Sequence, residues 1–268
     1  MIGQAQRLSD LVKNQKKKYE NSKKILAVAS GKGGTGKSFF IINYAYQLSQ
    51  MGKRVLLIDL DSNLSNIDVM LNLSSEKTID DFFQSRVLFN ELPIEVRPRF
   101  DLIFGDSGKL NHSENRREMV DYLFTNIRNI SDNYDNILID TGAGIQAETL
   151  HLLSKADLIT LIINPDPTSV MDGYALTKLF INEFGLREIS VVVNKCEDSD
   201  EGKLSFDNLN RASTHFLKAN LKYLGFLNYH HNVYKTIKEQ TLFSEEYPDS
   251  EICDQLKEVA NKLSLQQN

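Results

Sequence analysis

The chain has little of what would place it outside the cell or in a membrane. Its 268 residues include two cysteines, Cys196 and Cys253. Two distant thiols give neither a disulfide framework nor the paired spacing of a zinc site. A bilayer-spanning helix needs about 20 apolar residues; the longest apolar run, Leu158–Ile163 in DLITLIINP, is far shorter. The first two dozen residues are polar and lysine-rich, so no secretory leader is expected and the expected location is the cytoplasm. Gly and Pro number 14 and 5, and no Gly/Ser-rich linker or internal repeat divides the chain. With 41% hydrophobic and 25% charged residues, it reads as one large domain able to bury its own core.

Charge is unevenly placed. Residues 1–24 carry Arg7 and six lysines against Asp10 and Glu20, a net +5, which leaves −10 on the rest of a chain whose formal total is −5. An acidic body of this kind opposes general nucleic-acid binding. The basic arm, 1–24, therefore separates from a domain at 25–268. Ala5, Leu8, Leu11 and Val12 form an apolar stripe at helical spacing beside its lysines. Such a stripe suits a partner's groove or an anionic surface, and a frayed tail is the plain alternative.

From Ile25 onward, short apolar runs alternate with helical patterns. Strands are expected at Ile25–Ala29, Val55–Asp59, Leu102–Phe104, Asn136–Asp140, Leu158–Ile163, Ile189–Val193 and Leu224–Leu227. Helices are expected at Lys37–Gln50, Ile79–Gln84, Glu114–Asn129, Ala147–Ser154, Ser169–Phe184, Phe206–Tyr223 and Ser250–Leu265. Near-continuous apolar strands imply burial on both faces. Strand–helix alternation with right-handed crossovers predicts an α/β, doubly wound, mostly parallel sheet with helices on both faces.

Chemistry concentrates in GKGGTGKS, Gly31–Ser38, which fits G-x-x-x-x-G-K-[ST] between an expected strand and an expected helix. Small residues let backbone N–H groups turn toward phosphate oxygens, and the helix start adds its positive end. The phosphate-contacting set runs through Gly31, Gly33, Gly34, Thr35, Gly36, Lys37 and Ser38 to Phe39. Lys37 is placed to reach the β- and γ-phosphates and Ser38 to ligate Mg²⁺. Alternation puts Asp59 and Asp61 on one side of the second strand's end, and an apolar run delivers Asp140 into a glycine-rich turn. Asp140 suits a Mg²⁺-contacting carboxylate. Asn194-Lys195-x-Glu197 approaches the guanine-reading N-K-x-D, with a carboxylate one methylene too long. On residues alone, Lys32 could be a solvated surface lysine.

GKGGTGKS resembles the deviant Walker A loop, KGG-x-GK-[ST], of the MinD/ParA family of ATPases. That resemblance implies ATP and Mg²⁺ as ligands, ATP hydrolysis, and a homodimer when ATP is bound. Lys32 would reach the partner's phosphates as a catalytic cation. DLDSNLSNIDVML is similar to the family's first switch, implying that Asp61 orients the attacking water, that Asp59 steadies the metal's hydration shell and that Asn66 lies in the responsive segment. Thr141–Ile145 matches the second switch, and Asn194 matches an adenine-contacting asparagine, which favours ATP over GTP. No cysteine lies in 97–145, where iron–sulfur relatives carry theirs. Within the family the chain resembles the group that regulates flagellar number and placement. The match rests on DTGAGI at 140–145, on NPDPTSVMDGYALTKL, and on the arm. Gln4, Ala5 and Leu8 match a segment that engages the SRP-type GTPase FlhF, while Gly3 and Ser9 depart from it. Flagellar basal-body components would be further partners. Family members often end in a basic amphipathic helix that binds membrane. Here the stripe Ile252, Leu256, Val259, Ala260 and Leu263 faces an acidic side, which better describes the domain's own last helix. A partition or division-site ATPase, a signalling GTPase and a non-hydrolysing scaffold are the rival readings.

Overall fold

The computed structural model describes residues 24–61, 67–105, 116–185 and 188–267. The arm at 1–23 and Asn66 lie outside them. Among the described residues, eight strands and ten α-helices follow in chain order. The first half contains β1 (Ile25–Ala29), α1 (Lys37–Gln50), β2 (Val55–Leu60), α2 (Ile67–Leu71), α3 (Ile79–Phe83), β3 (Ile94–Arg97), β4 (Phe100–Ile103), α4 (Arg116–Ile130) and β5 (Asn136–Thr141). The second contains α5 (Ala147–Leu153), β6 (Leu158–Ile163), α6 (Pro167–Phe184), β7 (Ile189–Cys196), α7 (Ser199–Ala212), β8 (Lys222–Asn228), α8 (His231–Glu239), α9 (Phe243–Glu246) and α10 (Glu251–Gln267).

The strands form one eight-stranded sheet in the order β3-β4-β2-β5-β1-β6-β7-β8. All neighbours are parallel except β3, which pairs antiparallel with β4 at the edge. The fold is thus the expected doubly wound sheet, with one antiparallel strand added. Ile94–Arg97 lies between Pro93 and Pro98, and its mixed apolar and charged residues leave it half exposed, as suits an edge.

Two cores flank the sheet because side chains alternate along each strand. Ile25, Ala27 and Ala29 of β1 point into a core with Phe82, Phe124, Ile127, Leu153, Phe180 and Leu209. Leu26 and Val28 point into another, with Phe40, Tyr44, Leu48, Phe243, Leu256 and Leu263. Helices α3 to α7 therefore cover one face, and α1 with α10 the other. The stripe on α10 lies in this second core: Ile252, Leu256, Val259, Ala260 and Leu263 are all buried. That is the domain's own last helix, as its polar face suggested. Among the described residues no helix is long and apolar enough to cross a membrane.

The short helices α2, α8 and α9 were not expected, and one expected helix is placed differently. The segment expected as Phe206–Tyr223 instead starts at Ser199, where the Asp198 side chain accepts from Glu201 N at 2.8 Å. It ends by Ala212 in a single π turn, Ser213–Leu217, and residues from Lys222 onward join the sheet as β8. A side-chain cap fixes the start, and Lys218 at φ 54° in the left-handed region closes the end.

Candidate functional site

The site forms where β1, β2 and β5 end side by side. The loop Gly31–Gly36 leaves β1 and enters α1 through Gly36, whose φ of 91° is left-handed. A Cβ at Gly36 would also lie 2.2 Å from Asn194 Nδ2, so both backbone and space require glycine there. Asn194 is buried, and its Nδ2 donates to the Thr35 carbonyl at 2.8 Å. Next to it, Lys195 Nζ donates to the Gly34 carbonyl at 2.8 Å. The end of β7 therefore holds the loop's shape through two side chains. Asn194, expected against adenine, has its amide nitrogen committed to the loop; the structure joins it to the phosphate cradle.

Lys37 is 7% exposed, at the start of α1. One residue on, Ser38 Oγ donates to Asp140 Oδ2 at 2.6 Å. Asp140 and Asp59 are direct register partners on β5 and β2, and both are buried. Burial pushes the Asp140 carboxyl upward, while the Lys37 ammonium and the Ser38 hydroxyl draw it back down and Asp61 adds to the rise. Asp140 Oδ1 is buried and has no hydrogen-bond partner. An orphaned carboxylate oxygen beside a hydroxyl and a second carboxylate is a hard oxygen donor set, which fits Mg²⁺. Among the described residues no three His, Cys, Asp or Glu side chains gather as a metal cage. Mg²⁺ at nucleotide sites needs none, since phosphates and water complete its shell.

Asp61 lies just past the end of β2, and its N–H donates to Asp59 Oδ1 at 3.0 Å. Thr141 donates to the Val28 carbonyl at 2.9 Å, and Gly144 N to the Ser30 carbonyl at 2.9 Å. The expected second switch is thereby tied to β1 and to Ser30, just before the loop. Phe39 is buried with its ring edge-on to Phe243 at 5.6 Å, so only its backbone remains for a phosphate.

Lys32 stands apart from this cluster. Its Nζ lies 2.9 Å from Asp166 Oδ1 and 2.8 Å from Thr168 Oγ1, at the start of α6. The Thr168 hydroxyl foremost, then Lys32 and the Ser169 N–H, lower the Asp166 carboxyl to about 2. Sequence reasoning missed the roles of Asp166 and Thr168, and it read Lys195 as part of a base-reading pattern rather than as a brace on Gly34. Asp-Pro-Thr-Ser is a readable helix start, with Asp166 as N-cap and Pro167 following, but nothing local says that it faces Lys32.

Comparisons with known proteins fit this geometry. Antiactivator FleN of Pseudomonas aeruginosa is 30% identical over 239 residues, covering 89% of this chain and 85% of that protein. Flagellum site-determining protein YlxH of Helicobacter pylori is 30% identical over 276 residues, covering 98% and 90%. The cell division ATPase MinD of Pyrococcus furiosus superposes with a TM-score of 0.75 at 20% identity, over 91% of this chain and 99% of that one. The last of these shows a shared fold. A model of the CobQ/CobB/MinD/ParA nucleotide-binding domain matches residues 26–243, and the chain belongs to that family.

Proposed function

We propose that the chain is an ATP-hydrolysing switch that pairs with a second copy when ATP is bound and so controls flagellar number or placement. One observation carries the chemistry: Ser38 is bonded to Asp140, with Asp59 in register beside it, directly beneath a complete phosphate loop. The biological output rests on the similarity to FleN and YlxH along most of each chain.

Backbone N–H groups from Gly33 to Ser38 would take the phosphate oxygens, and buried Lys37 would meet the β- and γ-phosphates where the dielectric is low. Ser38 and Asp140 would hold Mg²⁺, with Asp59 steadying its water shell; bound there, the ion would neutralise phosphate charge. Asp61 would orient the attacking water and accept its proton. Lys32 of the other subunit would offset the charge that builds during in-line transfer. Departure of the γ-phosphate would release the turn at Gly142 and Gly144 and separate the pair. The arm, with Gln4, Ala5 and Leu8, would engage an SRP-type GTPase such as FlhF and bring the switch to basal-body components.

Turnover of the full chain, measured across protein concentrations, tests the reading. Specific activity should rise as protein increases, and Lys32→Ala should remove that rise and lower turnover by about 10²-fold. Flat activity, identical in both proteins, would refute the shared-site mechanism. Displacement of a fluorescent nucleotide by ATP but not by GTP, and an altered flagellar count on deletion, test the ligand and the output.

A further inference from the structure

The lysine assigned to act across the pair is tied down inside its own subunit. Asp166 Oδ1 gathers three donors: the Lys32 ammonium, the Thr168 hydroxyl and the Ser169 N–H that it caps. The Ser169 hydroxyl in turn accepts from Asn164 N at 2.9 Å, which fixes this turn to the end of β6. On the loop side, Ser30 Oγ donates to the Lys32 carbonyl at 2.9 Å. Loop and helix also touch through backbone, since a Cβ on Gly31 would lie 2.6 Å from the Asp172 carbonyl. Backbone on both sides is therefore set, and only the Lys32 side chain remains to move. Side-chain exposures of 34% for Lys32 and 44% for Asp166 put the ion pair at the rim, where water can enter and the contact can break.

We propose that Asp166 and Thr168 are positioning residues that park Lys32 within its own subunit, and that this latch sets the protein concentration at which ATP-bound pairs form. The proposal rests on the reading of Lys32 as a trans cation. An ammonium holding two partners at home gives both up before it reaches the neighbouring triphosphate, so the latch opposes pairing. Partly exposed ion pairs shift an equilibrium by up to about five-fold. Two lysines move per pair, so the pairing constant shifts by up to about twenty-five-fold. Screening shrinks the effect as salt rises.

Pairing of the full chain with a non-hydrolysable ATP analogue, followed by analytical ultracentrifugation over a protein titration at low and high salt, tests this. Asp166→Asn keeps the helix cap and removes the charge; Thr168→Val removes the second hydrogen bond. Both should reach half-maximal pairing at lower concentration than wild type, Asp166→Asn by the larger factor, and its advantage should fade at high salt. Asp172→Asn, further along the same helix and outside the ion pair, is the control for net charge. An unmoved or raised midpoint for Asp166→Asn, or an equal shift for Asp172→Asn, overturns the latch. Lys32→Ala separates the two ideas. If it pairs and turns over as wild type does, the trans reading fails and the latch with it. If it loses both while Asp166→Asn matches wild type, the latch alone fails.

Discussion

The two halves of the octapeptide Gly31–Ser38 live in different surroundings. Thr35 and Lys37 are buried, and Gly36 is wedged against Asn194. In the first half Gly33 and Gly34 are exposed, with open space where a side chain would go, and Lys32 leans outward onto α6. The lesson is a division of labour within eight residues: the second half is part of the fold's interior, and the first half is surface available to another molecule.

Substitutions can break that contrast. The largest effect is expected from Lys37→Ala, which removes the buried cation: ATP turnover should fall by about 10²–10³-fold while circular dichroism still reports a folded chain. Gly36→Ala comes next. It combines a left-handed backbone with a clash on Asn194, and should cost about 1–3 kcal/mol in a denaturant titration. Asn194→Ala should be similar or milder, about 1–3 kcal/mol, because the buried Thr35 carbonyl loses its donor. The smallest effect belongs to Gly33→Ala, which lies in the open half at an ordinary φ; a change within about 0.5 kcal/mol is expected. A cost at Gly33 as large as that at Gly36 would erase the distinction.

Much of this was legible before any coordinates. The bounds of β1, β6 and α1 follow from apolar runs closed by Gly, Asp, Asn and Pro; Lys37, Ser38 and Asp140 stood out from the loop motif and an apolar run ending in Asp, and Asp59 from the resemblance. Two kinds of feature were not legible. Short elements such as the edge strand β3 and the four-residue α9 carry too few apolar residues for periodicity to register. Long-range polar contacts leave no local trace either: Lys32 and Asp166 are 134 positions apart, and Asn194 and Thr35 are 159 apart. Glu197 shows a third difficulty. Its place in Asn194-Lys195-x-Glu197 drew attention to base recognition, whereas its N–H donates to Glu201 Oε2 at 2.7 Å in the turn where Asp198 caps α7.

Asp59 and Asp140 stand shoulder to shoulder near the ends of neighbouring strands, both buried. Burial, and the Asp61 charge with it, weigh against an ionised Asp140, and the Lys37 ammonium and the Ser38 hydroxyl offset that in part. A cation held beside Asp140 would offset the rest, so that occupancy and heat resistance should climb together.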